Sequence, residues 1–237
     1  MTQIVLDIET CPAQDPSVRA AIRATIAAPA QYKKQDSIDA WMDENADSAA
    51  EEKWLKTSFD GGLGHICVIG IAIDDAEPVA LYESDWVAGE RGVLRQFFDM
   101  VDAAVAKHPN VRPVFVGHNL IAFDLRFIYQ RAVVLGVKPS VHIPFNARPW
   151  GDSSAFDTMT AWAGARDTVS LDKLGSILCG KGKGDMDGSM VWGAVSEGRI
   201  WEVAEYCRSD IELTRSIYKR MTFAPTPEPV EFDGLPF

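Results

Sequence analysis

Ile4-Val5-Leu6-Asp7-Ile8-Glu9-Thr10 is an aliphatic run into which two carboxylates are set at alternate positions. Its first half reads as a buried strand, because β-branched and aliphatic residues follow one another without a turn signal. Side chains alternate faces along a strand, so Asp7 and Glu9 project from one side, roughly 7 Å apart. Two like charges beside a core are costly unless a cation offsets them. A hard divalent ion such as Mg²⁺ or Mn²⁺ takes oxygen ligands, keeps some waters and leaves positions open for a phosphate. A solvated strand end is the other reading of the pair, and the rest of the chain decides between the two.

Downstream, residues 11–62 read as an insertion of two or three helices, drawn from the alanine-rich stretch Ala20 to Ala28 and from Ile38 to Leu55. The acids Asp43, Glu44, Asp47, Glu51 and Glu52 make a solvated helix face. Gly61-Gly62 and Gly64 mark a turn into Ile66 to Ile73, a central strand by its length and β-branched content. Asp74-Asp75 turn the chain into a hairpin partner within Pro78 to Tyr82. Gly92 to Val105 carries a helix-period apolar stripe. Val114 to Asn119 reads as a strand, about Ala122 to Leu135 as a helix closed by Gly136 and Pro139, and Ala155 to Thr158 as a brief strand. Helices follow at Leu171 to Leu178 and Ile200 to Met221. This order fits a mixed sheet with helices on its faces, an α/β fold in one domain spanning residues 1–223. From Ala224 the four prolines describe an extended tail.

The totals narrow the function. With 237 residues and 47% apolar content, one sizeable core is available. The longest apolar run is too short for a bilayer and no signal-peptide pattern opens the chain, so a soluble, cytoplasmic protein is expected. Cys11, Cys67, Cys179 and Cys207 lie far apart and read as buried free thiols rather than as zinc ligands or disulfides. A formal charge of −11 argues against coating nucleic acid through a broad basic surface, but leaves room for metal ions and a local basic rim to hold phosphates.

Two later stretches answer the opening pair. Asn119-Leu120-Ile121-Ala122-Phe123-Asp124 puts an acid at the first turn of a helix just past a strand, where active sites of open α/β sheets gather. Tyr206 and Asp210, four apart, share one face of the last long helix. In that order and those settings, Asp7-x-Glu9, Asn119 with Phe123-Asp124, and Tyr206-x-x-x-Asp210 resemble the proofreading-type 3′–5′ exonucleases with four acids and a tyrosine. The nearest likeness is a predicted exonuclease family similar to the proofreading domain of family B DNA polymerases, a likeness extended by Gly64-His65-Ile66-Cys67-Val68-Ile69-Gly70 and Leu171-Asp172-Lys173-Leu174. It reaches from Val5 to about Thr214 and thins across the insertion. A related subfamily carries histidine five residues before the last aspartate; Glu205 stands there in this chain, so the tyrosine subfamily matches better.

The resemblance implies a ribonuclease H-like fold and two divalent ions, Mg²⁺ or Mn²⁺, held by Asp7, Glu9, Asp124 and Asp210. Two ions about 3.5–4 Å apart would clamp the attacking and leaving oxygens of a displacement at phosphorus. An ordinary phenol, with a pKa near 10, is a poor base at neutral pH, so Tyr206 is expected to orient the attacking water. The implied reaction releases nucleoside 5′-monophosphates from the 3′ end of single-stranded DNA, by a free-standing enzyme of replication, repair or recombination. RNA trimming and a catalytically idle nucleic-acid or protein-binding scaffold are the alternatives. Candidate substrate contacts are Thr10, Asn119, Phe123, Lys181 and Lys183. Phe123 either packs in the core or offers an edge to a terminal base, and Asn119 either bonds the substrate or caps the next helix. The lysines line either a phosphate-binding loop or a solvated one. Glu231 to Phe237 resembles the acidic tip of bacterial single-stranded-DNA-binding proteins, which implies a protein partner docking on the tail.

Overall fold

Gln3–Cys11 forms the central strand, β1, of a five-stranded sheet. Antiparallel to it lies β2 (His65–Ile73), the apolar run whose interior is buried on both faces, and outside that the short β3 (Val79–Leu81). On the other flank β4 (Val114–Gly117) runs parallel to β1 and β5 (Ala155–Asp157) parallel to β4, giving the order β3-β2-β1-β4-β5. The computed structural model describes residues 2–224 apart from Trp150, Ala165, Lys183 and Asp185. The tail reading from residue 225 onward, with its docking tip, lies outside the described residues.

The alternation of β1 sorts its side chains into two layers. Ile4, Leu6 and Ile8 face a core shared with Ile69, Ile71 and Phe115 and closed by two helices, α3 (Trp86–Lys107) and α4 (Asp124–Leu135). Between β1 and β2 lie α1 (Pro16–Ala24) and α2 (Gln35–Leu55), followed by a 3₁₀ turn at Lys56–Phe59. After β5 come α5 (Thr158–Ala163), α6 (Leu171–Cys179), α7 (Val191–Ser196) and α8 (Ile200–Met221). On the opposite face of the sheet, Val5, Ala72 and Val116 pack on Ile211 of α8, and Cys11, Cys67 and Val68 on α7 and α8.

Several expected elements change at their edges. Helix α3 begins at Trp86 rather than near Gly92, because Asp85 caps it by accepting from Ala88 N–H at 3.2 Å. Strand β4 stops at Gly117, since Asn119 turns left-handed with φ 62°. Helices α5 and α7, six residues each, are too short to show an apolar period and went unmarked in the sequence. Among the described residues no helix is long and apolar enough to cross a membrane.

Candidate active site

Asp7 and Glu9 stand on the face of β1 that α8 covers, and a missing side chain decides how closely α8 approaches. Gly70 pairs with Asp7 across the β1–β2 ladder. A Cβ at Gly70 would lie 2.7 Å from Cys207 Sγ and 3.0 Å from Ile211 Cγ1. With no Cβ there, the Cys207–Ile211 stripe of α8 rests directly on the sheet. The neighbouring stripe, Tyr206 and Asp210, is thereby brought to the acids of β1. The Cys207 thiol points at the Asp7 carboxylate, with Sγ 3.5 Å from Oδ2.

Asp124 arrives from the other side. Parallel pairing of β1 with β4 runs only as far as Val5–Val116, so the edge of β1 beyond it needs another partner. Asp124, the first residue of α4 and 2% exposed, supplies one by accepting from Ile8 N–H at 3.1 Å. The chain between β4 and α4 is held by Asp157, whose carboxylate accepts from Asn119 N–H at 3.1 Å and Ile121 N–H at 3.0 Å while capping α5.

The electrostatics record how crowded the acids are. Burial raises the pKa of Asp124 well above the ordinary carboxylate value, and the charges of Asp7 and Asp157 push it further, against the opposing hydrogen bond from Ile8. Burial likewise raises the Tyr206 phenol, helped by the charges of Glu9, Asp210 and Asp7 and by its hydrogen bond with Asp210. Tyr206 therefore stays protonated at neutral pH and can donate a hydrogen bond but not accept a proton as a base. The Cys207 thiol is pushed up by burial and by Asp7, Glu9 and Asp210, so the same three acids act on both α8 side chains. Ligand atoms of Asp7, Glu9 and Cys207 lie within 4.8 Å of one another. Carboxylates drawn from β1, α4 and α8, with Asp124 raised by burial and by the charge of Asp7, fit a hard divalent cation, which would offset the crowded negative charge.

The candidate substrate contacts divide. Thr10 donates its hydroxyl to Ser58 O at 2.7 Å, and it lines a pocket of about 240 Å³ with Lys56, Phe59 and Trp192. Phe123 packs against the core and also meets Phe127 and Phe59, with ring centroids 5.6 and 6.3 Å away. Asn119 does not cap α4: Phe123 holds the cap position without a side-chain hydrogen bond, and Asn119 instead gives its carbonyl to Phe123 N–H at 3.0 Å. Lys181 borders a small pocket beside Ser209 and Asp210, and Lys183 lies outside the described residues. His118 spends both ring nitrogens on Thr158 Oγ1 and Val169 O, at 3.0 and 2.8 Å. Cys207 and Asp157 joined the site without a signal of their own in the sequence; the i+1 position after Tyr206 was the one available clue to Cys207.

Residues 62–226 match the family described as a predicted 3′–5′ exonuclease related to the exonuclease domain of PolB. Among solved structures, the family B DNA polymerase from the hyperthermophilic archaeon Pyrobaculum calidifontis superimposes with a TM-score of 0.55 at 14% identity, over 94% of this chain and 24% of the polymerase. The chain thus spans about a quarter of that polymerase's length, and the likeness establishes a ribonuclease H-like fold of the PolB exonuclease type. No curated protein matches the sequence.

Proposed function

The chain belongs to the family of predicted 3′–5′ exonucleases related to the exonuclease domain of PolB, and on that premise we propose that it hydrolyses single-stranded DNA from the 3′ end to nucleoside 5′-monophosphates with the help of two divalent ions. The observation that carries the reading is the gathering of Asp7, Glu9 and Asp210 about a protonated Tyr206, with Asp124 brought beside Asp7 from a third element. Asp7, Glu9, Asp124 and Asp210 would hold Mg²⁺ or Mn²⁺, which when bound supply positive charge to the phosphate and to the oxygens entering and leaving phosphorus.

The protein's own contribution is positional. Tyr206 donates its O–H to Asp210, which leaves the phenol oxygen turned to accept from the attacking water and set its approach without removing its proton. Asp124 is locked to β1 by Ile8 N–H and Asp210 by its place on α8 against Gly70, so neither carboxylate has to be ordered when substrate arrives. Lys181, beside Asp210, suits contact with a backbone phosphate.

The test incubates 5′-labelled single-stranded DNA and RNA of one sequence with the protein in Mn²⁺, in Mg²⁺ and in chelator. A ladder shortening from the 3′ end, nucleoside 5′-monophosphate as product and faster loss of DNA are expected, with none in chelator. Faster trimming of RNA would overturn the choice of DNA. Absence of product with both strands in both metals would overturn the nuclease itself.

A further inference from the structure

Phe59 is a phenylalanine held in place and left uncovered. Its ring is 71% exposed, forfeiting the burial such a side chain ordinarily gains. Yet the backbone around it is tied down. Ser58 O accepts from Thr10 Oγ1 at 2.7 Å, and Thr57 Oγ1 accepts from Ala13 N–H at 2.8 Å while donating to Trp54 O at 2.6 Å. Gly64 passes so close that a Cβ there would stand 2.5 Å from Thr57 O. The ring itself leans on Phe123, the residue before Asp124, at 6.3 Å and 60°. Phe59 is thus one bonded neighbour from Thr10, which directly follows Glu9, and in ring contact with Phe123, which directly precedes Asp124. Its open side borders the pocket of about 240 Å³ that Thr10, Lys56, Ser58, Ser189 and Trp192 complete.

An exposed aromatic face, a hydroxyl and an ammonium group around one small pocket match the parts of a nucleotide: a base to stack, a sugar to hydrogen-bond and a phosphate to pair. Lys56 presently pairs with Glu52 at 2.6 Å on an exposed surface, a weak contact that a phosphate can displace. Trp192 is engaged edge-on by Trp54 and Trp86, which leaves Phe59 as the free platform. Resting on the nuclease reading above, we propose that the insertion between β1 and β2 supplies the seat of the 3′-terminal base, which stacks on Phe59. An exonuclease cuts the bond next to its terminal nucleotide, so the base nearest the acids is the terminal one. Phe59 lies between β1 and β2, in the insertion, ahead of residue 62 where the family match begins.

The experiment compares the parent, Phe59→Ala and Phe59→Tyr on a strand with a natural 3′ end and on one ending in an abasic nucleotide. Phe59→Ala should raise KM roughly 5- to 150-fold on the natural end, with kcat and melting temperature unchanged. The penalty should vanish on the abasic end, and Phe59→Tyr should restore the parent KM. Separately, a strand ending in 2-aminopurine, bound in Ca²⁺ or to an Asp210→Asn background, should be quenched by the Phe59 protein and far less by Phe59→Ala. Equal KM values for parent and Phe59→Ala, the same penalty on the abasic end, or equal quenching would overturn the seat. No turnover by the parent overturns the nuclease reading alone, because the quenching still decides for or against stacking on Phe59.

Discussion

Two groups of buried carboxylates sit in this molecule under opposite electrostatic conditions. Glu90 of α3, 1% exposed, accepts from Arg131 Nε at 2.7 Å and Nη2 at 2.6 Å, and from Ile66 N–H at 2.8 Å, and shares a hydrogen bond with His65 at 2.9 Å. Burial alone would raise its pKa, but the hydrogen bonds from His65 and Arg131, the Arg131 charge and Ile66 N–H leave it below the ordinary value. Arg131 also reaches Gly61 O at 3.3 Å, so one compensated charge ties together α3, α4, β2 and the end of the insertion. Asp124, as deeply buried, is surrounded by the charges of Asp7 and Asp157 and is raised. A carboxylate that serves the fold is given its counter-charge by the fold; one crowded by other acids is held there against its own electrostatics, which marks a place where charge is to be supplied from outside.

The widest separation between the groups should come from removing a charge in each. Asp7→Asn or Asp210→Asn should lower cleavage to background, while in chelator the variant melts no lower than the parent, because relief of repulsion offsets lost contacts. Added Mg²⁺ should raise the melting temperature of the parent by mass action and that of the variant much less. A variant that retains cleavage, or that melts well below the metal-free parent, would move these acids into the structural group with Glu90.

Next in size is Tyr206→Phe, which deletes a hydroxyl and nothing else. Turnover should fall by roughly 10²–10⁴, the range typical of a positioned proton-handling group, with metal affinity by calorimetry unchanged. An unaltered rate would make Tyr206 a packing residue of α8.

In the other group, Glu90→Gln should cost about 3–5 kcal/mol of unfolding free energy, since it strands Arg131 in the core without its counter-charge. The activity of the molecules that remain folded should match the parent, measured at a temperature well below the transition. A loss of less than about 1 kcal/mol would mean the pair is replaceable by a neutral hydrogen bond.

What could be read from the sequence follows from the same division. Asp7 with Glu9 and Tyr206 with Asp210 are legible because each pair repeats at the period of its own element, two along a strand and four along a helix. Asp124 is legible from its place after a strand. The Glu90–Arg131 pair joins residues 41 apart on different helices, and no local period links them. The expected start of α3 near Gly92 even left Glu90 outside the helix. Asp157 and Phe59 are invisible for a related reason: one acts by capping a six-residue helix too short to announce itself, and the other acquires its surroundings only when residues 48 apart, Thr10 and Ser58, are bonded together.

The smallest effect is also the one in which the two groups should diverge in sign. For Glu90 the folded pKa is depressed, so its stabilisation is present above the unfolded value of about 4.3 and is lost as pH falls through the folded one. For Asp124 the folded pKa is raised, so the folded protein binds the proton more tightly than the unfolded chain. Stability is then lost as pH rises from the unfolded value of about 3.9 toward the folded one. Denaturant titrations in chelator should therefore show the advantage of the parent over Glu90→Gln shrinking as pH falls below about 4.3. The advantage of Asp124→Asn over the parent should grow as pH rises above about 3.9, each by no more than about 1.4 kcal/mol per pH unit. Saturating Mg²⁺ should abolish the second trend and leave the first untouched, because the cation holds Asp124 ionised while Arg131 already does so for Glu90. A metal-free Asp124→Asn curve that runs parallel to the parent's over that window would place Asp124 with Glu90, as a charge the fold has compensated by itself.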